Sequence, residues 1–436
     1  MSFKAYRRLF GTVRRKYPIN RDQEKSLPIF QYGVSNESYQ RLYAWGNIQT
    51  GALGIPFIRQ NESVDKVSCL RHPKRVTFGE KHNVTAVACG YGFTVFGVEN
   101  DEHKLFGSGL NTDSQIGHHE INEGKPLSIL FYPKPIHLSL KNSTSKILKL
   151  SAGRAHCMAL TDEGVYLQGN NSYGQCGRKI LENEDYLASS YVNHIPNVDG
   201  KKICDVQCGQ DHSLLLTEDG AVYSCGWGAD GQTGQGHYNN LEVFTQVGGD
   251  IANEKIIELS CRADFVLARN DKGEVFGWGN TEYSQLGPDI EEQQVCNPTY
   301  IKSLKSFGKI TSIASGGSFC LILNENGDVF SWGFGILGMG PSVEHSKVPL
   351  PIPKTLFGKN DFQPSSEVVK VACGTSHSAA ITNSGDLYTW GRNSNACLGL
   401  GHDKDQYFPF KVSMGASVTQ VFCGVDHTVV LSKPFI

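Results

Sequence analysis

Several features that would mark an enzyme or a membrane protein are missing from this sequence of 436 residues. No run approaches the roughly 18 consecutive apolar residues that a membrane-spanning helix needs. The phosphate-binding pattern G-x-x-x-x-G-K-[ST] does not occur, so the chain is not predicted to be a nucleotide hydrolase itself. One G-x-G-x-x-G match, residues 226–231, has no helical pattern after it, which argues against a dinucleotide site. The scattered serines and histidines suggest no catalytic triad, and no cofactor is predicted.

The 13 cysteines offer neither a disulfide framework nor a metal site. There is no C-x-x-C pair, and Cys204 and Cys208 have no matching pair of histidines, so zinc binding is not predicted. Five cysteines recur at one position of a repeat, which favours small buried residues in a reducing compartment. They are Cys89, Cys208, Cys261, Cys373 and Cys423.

Acidic residues are absent from the first 21 positions, which carry seven lysines and arginines. Phe3, Tyr6, Phe10, Val13 and Tyr17 are spaced by three and four residues and would form one apolar stripe on a helix. Such a start is typical of a mitochondrial presequence, which we place, with an unstructured lead-in, at residues 1–41. A basic arm that contacts nucleic acid or a membrane is the alternative. The rest of the chain has a formal charge of −9 and no overall attraction to polyphosphate.

A glycine that follows a short aromatic segment recurs seven times, at intervals of 53 to 63 residues. Internal repetition at such a period indicates a solenoid or a propeller. The 48 glycines, against 17 prolines, agree with many tight turns. Four tryptophans share one position of these segments, and they are expected in the core together with the adjacent Trp227. The segments are residues 42–46, 106–109, 165–169, 222–226, 275–279, 329–333 and 387–391, and the four tryptophans are Trp45, Trp278, Trp332 and Trp390.

A second motif, a small residue followed in most copies by glycine and ending in histidine or phenylalanine, also occurs seven times. Together the two motifs supply about four short strands per repeat, the content of one propeller blade. The chain begins with an unpaired first motif and ends with an unpaired second motif. We therefore predict an all-β, seven-bladed β-propeller over residues 42–436, closed by a blade that the N- and C-terminal strands share. The second motif occupies residues 89–93, 152–156, 208–212, 261–265, 315–319, 373–377 and 423–427.

Period and motif residues together resemble the regulator of chromosome condensation repeat over about residues 42–431. WD-repeat propellers would show a shorter period and a Trp-Asp pair, neither of which is present. Residues 170–178 and 223–234 are similar to the mitochondrial branch of the family, in agreement with the basic N-terminus. The Gly-Trp-Arg-His-Thr runs of the light-absorbing members do not occur, so a photoreceptor is not predicted.

The resemblance implies guanine-nucleotide exchange on a mitochondrial GTPase, with a dynamin-like fusion GTPase as the favoured client. The protein would lie in the matrix, associated with the inner membrane without a span. Exchange needs no nucleophile, because it depends only on tighter binding of the nucleotide-free GTPase. The resemblance also implies an alternative role as a scaffold that associates with large-subunit ribosomal RNA and assembly factors in mitochondrial ribosome assembly and translation. A pure scaffold is the third reading.

In the family, aspartates and histidines of the second motif line the face that meets the GTPase. By resemblance, the contact candidates here are Asp211, Asp264, Asp426 and His427, with Arg154 standing where the family has an aspartate. That replacement, and the lack of an extra wedge loop after Gly169, favour a client other than the nuclear transport GTPase. The alternative is that the histidines of the motif hold neighbouring blades together by hydrogen bonds. These histidines are His156, His212, His377 and His427.

An RNA-binding surface would require clustered basic residues. The candidates for it are Lys134, Lys141, Lys146 and Lys149, in the insertion before the third blade. A second basic group consists of Arg71, His72, Lys74 and Arg75. Neither run is long, and the acidic body argues against RNA without excluding a local patch.

Overall fold

Each aromatic segment ends at a glycine because the chain there approaches a neighbouring strand too closely for a side chain. The computed structural model, which describes residues 40–56, 68–99, 101–122 and 124–433, gives Gly169 a φ of 108°. A Cβ at Gly169 would lie 2.3 Å from the carbonyl oxygen of Ala155 and 2.8 Å from His156 Cα. The positive φ and the close approach together require glycine. The six equivalent glycines have φ between 99° and 121°.

These segments form the third strand of four-stranded antiparallel blades. Six sheets consist of consecutive strands, and the seventh has the order β2-β1-β28-β27. The predicted all-β, seven-bladed propeller is therefore confirmed. In chain order the strands are β1 (Arg41–Asn47), β2 (Cys69–Arg75), β3 (Asn83–Cys89), β4 (Phe93–Glu99), β5 (Leu105–Leu110), β6 (Ile129–Ile136), β7 (Ile147–Ala152), β8 (His156–Thr161), β9 (Gly164–Gly169), β10 (Asn193–Ile195), β11 (Ile203–Cys208), β12 (His212–Thr217), β13 (Val222–Gly226), β14 (Leu241–Gln246), β15 (Ile256–Cys261), β16 (Phe265–Asn270), β17 (Val275–Asn280), β18 (Gln294–Tyr300), β19 (Ile310–Ser315), β20 (Phe319–Asn324), β21 (Val329–Phe334), β22 (His345–Ile352), β23 (Val368–Cys373), β24 (His377–Thr382), β25 (Leu387–Gly391), β26 (Gln406–Lys411), β27 (Ser417–Cys423) and β28 (His427–Lys433).

Helical structure in the described residues is confined to short connections. One α-helical turn, α1 (Phe78–Lys81), follows β2, and 3-10 turns occupy Gly249–Ile251, Lys302–Phe307 and Lys354–Phe357. None of these helices is long and apolar enough to cross a membrane. The presequence assigned to residues 1–41 lies outside the described residues, apart from its last two positions, and stays a prediction.

The two ends of the propeller pair with each other. Strand β1 runs antiparallel to β28, with Leu42 opposite Leu431 and Gly46 opposite His427. The indole N–H of Trp45 donates to the carbonyl oxygen of Cys397 in the preceding blade, at 2.7 Å. The predicted shared blade is therefore confirmed, and the ring has no unpaired inner strand at its seam.

The core lies between neighbouring blades, where buried hydrophobic side chains form seven clusters in the described residues. Trp45, Trp278, Trp332 and Trp390 are fully buried, as predicted. Trp278 and Trp332 repeat the Trp45 contact, since each donates to a carbonyl oxygen of the preceding blade, at 2.9 and 2.8 Å. All 13 cysteines are free thiols, and of the five repeat cysteines four are buried and Cys373 is half-buried.

Trp45→Ala tests whether the shared blade holds the ring closed. We expect the free energy of unfolding to fall by about 3–5 kcal/mol, because a fully buried aromatic side chain is removed. Amide hydrogen exchange should accelerate in both β1 and β28, although they lie at opposite ends of the chain. Trp332→Ala is the matched control inside a blade of consecutive strands, and its effect should centre on β19 to β22. Exchange that accelerates in β1 while β28 stays protected would contradict the shared blade.

Candidate functional site

Loops after the first and third strands of every blade emerge at one end of the ring, because successive strands run in opposite directions. We call this end the loop face. Backbone hydrogen bonds join neighbouring loops, as from Arg154 N to the Gln210 oxygen and from Gly317 N to the Thr375 oxygen, both 2.9 Å. The loops after the first strands surround the channel mouth; they are residues 90–92, 153–155, 209–211, 262–264, 316–318, 374–376 and 424–426.

Arg154 and Asp211 form a bidentate ion pair between neighbouring blades. Nε of Arg154 donates to Asp211 Oδ1 at 3.1 Å, and Nη2 lies 2.8 Å from Oδ2. The side chain of Arg154 is 46% exposed and that of Asp211 only 8%. Burial raises the pKa of Asp211, and the guanidinium of Arg154 opposes this rise. Arg154 is therefore the accessible member, and Asp211 fixes its direction.

Asp264, in the next blade, carries an unusually basic carboxyl group. Burial, followed by the carboxylates of Asp230 and Asp211, raises the pKa of Asp264 to about 6. Gln232 Nε2 donates to Asp264 Oδ1 at 3.3 Å. In the described part of the chain, no cluster of three or more histidine, cysteine or acidic side chains is arranged to hold a metal ion. Three carboxylates, those of Asp211, Asp230 and Asp264, thus lie close together on the loop face, with Arg154 paired to one of them.

Asp426 and His427 lie where the closing blade meets β1. Asn47 Nδ2 donates to Asp426 Oδ2 at 2.6 Å, and His427 Nδ1 lies 3.2 Å from Asp426 Oδ1. Although burial opposes it, these two contacts hold the pKa of Asp426 below its usual value. Burial also works against a charged His427, but Cys89 and Asp426 raise its pKa to about 9. Since His427 is fully buried, only Asp426 of this pair reaches the surface.

The remaining motif histidines are buried between blades. His156 Nε2 lies 3.0 Å from Ser213 Oγ, and His377 Nε2 lies 3.0 Å from Thr428 Oγ1, in each case on the next blade. Burial lowers the pKa of His156 to about 4 and those of His212 and His377 to about 3. The contacts of His156 and His377 agree with the alternative in which the motif histidines hold blades together, whereas neither ring nitrogen of His212 has a hydrogen-bond partner in the described residues.

Two aromatic pairs on the loop face were missed by sequence reasoning. Tyr173 and Trp227 meet edge to face with ring centroids 4.6 Å apart, and Tyr283 stacks on Phe334 at 5.1 Å. The rings of Tyr283 and Phe334 are more than one-third exposed. Trp227 corrects the core prediction: it is only half-buried, because it follows the glycine that ends β13 instead of preceding it. The available signal was that Trp227 lies two positions beyond the place of the four buried tryptophans, which Cys225 occupies here.

Arg262 is a further residue that sequence reasoning missed. The six other loops have glycine at this position, where a Cβ would collide with the following ring, at 1.9 Å in the case of Gly209 and His212. Arg262 is 9% exposed and reaches across the channel mouth. Its Nη1 donates to the carbonyl oxygen of Cys89, three blades away, at 2.8 Å, and its guanidinium lies 5.7 Å from the centre of the Tyr91 ring. The missing glycine was the signal.

The four lysines proposed for RNA contact do not share one surface. Lys134 is exposed on β6, the outermost strand of its blade, whereas Lys149 lies on β7, an inner strand that lines the channel. Lys141 and Lys146 lie between them, at the end opposite the loop face. The insertion runs from the outside of one blade to the channel wall of the next, and this path separates its lysines.

Comparison with known families places the repeats in one group. The family described as regulator of chromosome condensation (RCC1) repeat matches residues 40–96, 162–216, 272–323, 326–381 and 384–431. A second profile of the same description matches residues 203–232 and 368–397. The matched segments together exceed half of the chain.

Relatives and solved structures agree with this match. The chain is 43% identical over 427 residues to the mouse (Mus musculus) RCC1-like G exchanging factor-like protein, covering 95% of this chain and 92% of the relative. The human (Homo sapiens) protein of that name is 44% identical over 424 residues, with coverages of 94% and 90%. The crystal structure of human WBSCR16 matches with a TM-score of 0.85 at 44% identity, over 91% of this chain and all of that one. Yeast (Saccharomyces cerevisiae) Prp20p, at 20% identity and a TM-score of 0.73 over 92% of each chain, shares the fold.

The buried neutral histidines predict acid sensitivity. In the unfolded chain a histidine has a pKa near 6.5, whereas His156, His212 and His377 stay neutral in the folded ring down to about pH 4. Below pH 6.5 the unfolded state therefore binds more protons, and stability is lost as the pH falls. We expect each histidine to lower the free energy of unfolding by about 1 kcal/mol between pH 7 and about pH 5.5. His427, with its raised pKa, has the opposite dependence.

Urea denaturation at the two pH values measures this loss, and His212→Phe provides the matched variant. Phe93, Phe265 and Phe319 occupy the same buried position in other blades, so the ring fits the site. The variant should lose about 1 kcal/mol less on acidification than the natural protein. An equal loss in both proteins would contradict the assignment of a neutral His212.

Proposed function

The chain belongs to the regulator of chromosome condensation (RCC1) repeat family, and from this premise we propose that it is a guanine-nucleotide exchange factor whose loop face binds a GTPase. The observation that carries the proposal is the accessible Arg154, held by the buried Asp211 beside the acidic Asp264. The relatives named above are exchanging factor-like by description. No bond is made or broken in exchange, so no nucleophile or cofactor is needed.

The composition of the loop face favours a protein partner. Tryptophan, tyrosine and arginine supply most of the binding energy in protein interfaces. The loop face presents all three, in Trp227, Tyr173 and Arg154, with the Tyr283–Phe334 pair farther around the ring. A nucleic-acid surface would combine such aromatics with a basic patch. Around the channel mouth the accessible Arg154 is paired with Asp211 and lies beside further carboxylates, which disfavours RNA there.

Exchange requires the loop face to bind the nucleotide-free GTPase more tightly than the loaded form. Phosphates and Mg²⁺ order the switch loops of a GTPase, and a conserved lysine holds the phosphates. A carboxylate that competes for this lysine would favour the empty state. Asp264 suits this role because it lies at the face and loses part of its solvation there, so an incoming ammonium group would stabilise its charge.

We further propose that the client is a mitochondrial GTPase, with a dynamin-like fusion GTPase of the inner membrane as first candidate, and that the protein works in the matrix. The basic, acid-free N-terminus supports this location. The alternative is an rRNA-associated scaffold in assembly of the large mitochondrial ribosomal subunit. It has less support, because Lys134, Lys141, Lys146 and Lys149 lie on different parts of the ring.

Release of a fluorescent GDP analogue from purified mitochondrial GTPases tests the exchange proposal. The full chain should accelerate release from one of them. Arg154→Ala should reduce the acceleration about tenfold, the size expected for a central interface residue. Acceleration should increase as the pH rises through about 6, because Asp264 becomes charged, and Asp264→Asn should remove this pH dependence.

Lys202→Ala is the matched control for Arg154→Ala. Lys202 also forms an ion pair, with Glu218 at 2.6 Å, but at the end opposite the loop face. Its removal should leave exchange unchanged. If no mitochondrial GTPase responds while crosslinking places RNA on residues 134–149, the scaffold reading replaces this one.

Residues 1–41 fused to a fluorescent protein test the proposed location. We expect the fusion to enter mitochondria, because import selects a basic amphipathic helix. The control carries glutamate in place of Arg7, Arg8, Arg14 and Arg15, which keeps the apolar stripe and reverses the charge. Import of both fusions, or of neither, would contradict the presequence.

A further inference from the structure

The central channel carries positive charge that the exchange proposal does not use. A cavity of about 290 Å³ runs along it, walled by the inner strands of all seven blades. Its charged lining residues are Lys149, Lys370, Arg262 and Glu258. Three cations and one carboxylate thus line the same channel, although the body of the protein is acidic overall.

The side chains at mid-channel are directed there by a repeated backbone irregularity. Each inner strand has a break in its pairing register, as between Ile147 and Lys149 and between Val368 and Lys370. Such a bulge re-aims the side chain beside it. The residue after the break lies three positions before the end of its strand in all seven blades, so these residues form one belt. The belt consists of Ala86, Lys149, Asp205, Glu258, Ser312, Lys370 and Gln420.

Most of the belt charges are paired within the wall, and Lys370 is the exception. Lys149 forms an ion pair with Asp205, and Glu258 accepts from Arg269 Nε at 2.7 Å. No ion pair joins Lys370 to a residue in the described ranges, although the carboxylate of Glu258 lies near enough to favour its charged form. Burial, followed by the positive charge of Lys149, lowers the pKa of Lys370. Glu258 offsets part of this effect, and an anion in the channel would reduce the repulsion that remains between Lys149 and Lys370.

Arg262 supplies the second free cation, at the mouth of the same cavity. Only its Nη1 has a partner, the carbonyl oxygen of Cys89, while Nε and Nη2 are buried without a hydrogen-bond partner in the described part of the chain. A buried guanidinium with two unpartnered nitrogens is costly unless an acceptor joins it. Its planar fork matches the oxygens of a phosphate group.

We propose that the central channel is a binding site for a small phosphoryl oxyanion, held between Arg262 at the loop-face end and Lys370 at mid-channel. A multivalent anion such as pyrophosphate fits the two separated cations better than a monovalent one. The cavity is close to the lower limit of small-ligand sites, so the ligand is small. The site shares the loop of residues 262–264 with the loop face, but anion binding in the channel does not require the exchange proposal to hold.

Isothermal titration of the full chain with pyrophosphate, sulfate and citrate tests the site. Pyrophosphate should bind saturably at one site per chain. Arg262→Gly, which installs the residue of the six other blades, and Lys370→Ala should each weaken binding at least about tenfold. Lys347→Ala is the matched control, because Lys347 is exposed on β22, the outermost strand of its blade. The Lys347→Ala variant should bind pyrophosphate as tightly as the natural protein.

Three results would overturn the proposal. The first is no saturable binding of pyrophosphate by the natural protein. The second is an equal loss in Lys347→Ala, which would indicate diffuse surface attraction. The third is citrate binding as tight as that of pyrophosphate, which would reject the phosphoryl class. Circular dichroism of each variant checks the fold, and Lys370→Ala, in a side chain without an ion pair, serves if Arg262→Gly does not fold.

Discussion

Pairing of β1 with β28 is the contact on which the rest of the molecule depends. It joins strands from opposite ends of the chain and turns seven similar sheets into a ring. Only in a closed ring do the loops after the first strands surround one axis, and only then does Arg262 reach Cys89 on the far side. The same seam holds Asp426, whose carboxylate is fixed by Asn47 at the end of β1.

Functional side chains of this ring are positioned by the neighbouring blade more than by their own. Asp211 directs Arg154 from the next blade, and the aromatic pairs each join loops of two blades. The buried histidines make the same kind of contact deeper in the wall. Each blade therefore supplies one member of an ion pair or aromatic pair, and the neighbouring blade supplies the other.

The sequence was sufficient to predict the fold, because the glycine after each aromatic strand is required by both φ and a close backbone approach. Any residue but glycine is excluded there, so the repeat stays readable. The site was harder to predict, since the partner of Arg154 lies 57 positions away and no local pattern links them. The prediction for Trp227 was wrong because this residue follows the end of β13, where the chain leaves the core and the side chain becomes half-exposed. The lysines before the third blade looked clustered only because an outer strand and an inner strand are consecutive in the chain.

Positions that depart from the repeat indicate candidate functional residues, whereas the regular positions of the repeat indicate the fold. Regular positions are set by packing: the second strand of each blade starts with either histidine or phenylalanine, because both rings fill the same buried space. Arg154 and Arg262 have no such role, and each places a guanidinium where the other loops have different residues. Arg262 and Asp264 belong to one three-residue loop, 262–264, which has its first residue at the channel mouth and its last beside Asp211 on the loop face. The cation at the channel mouth and the carboxylate of Asp264 therefore lie only two residues apart along the backbone.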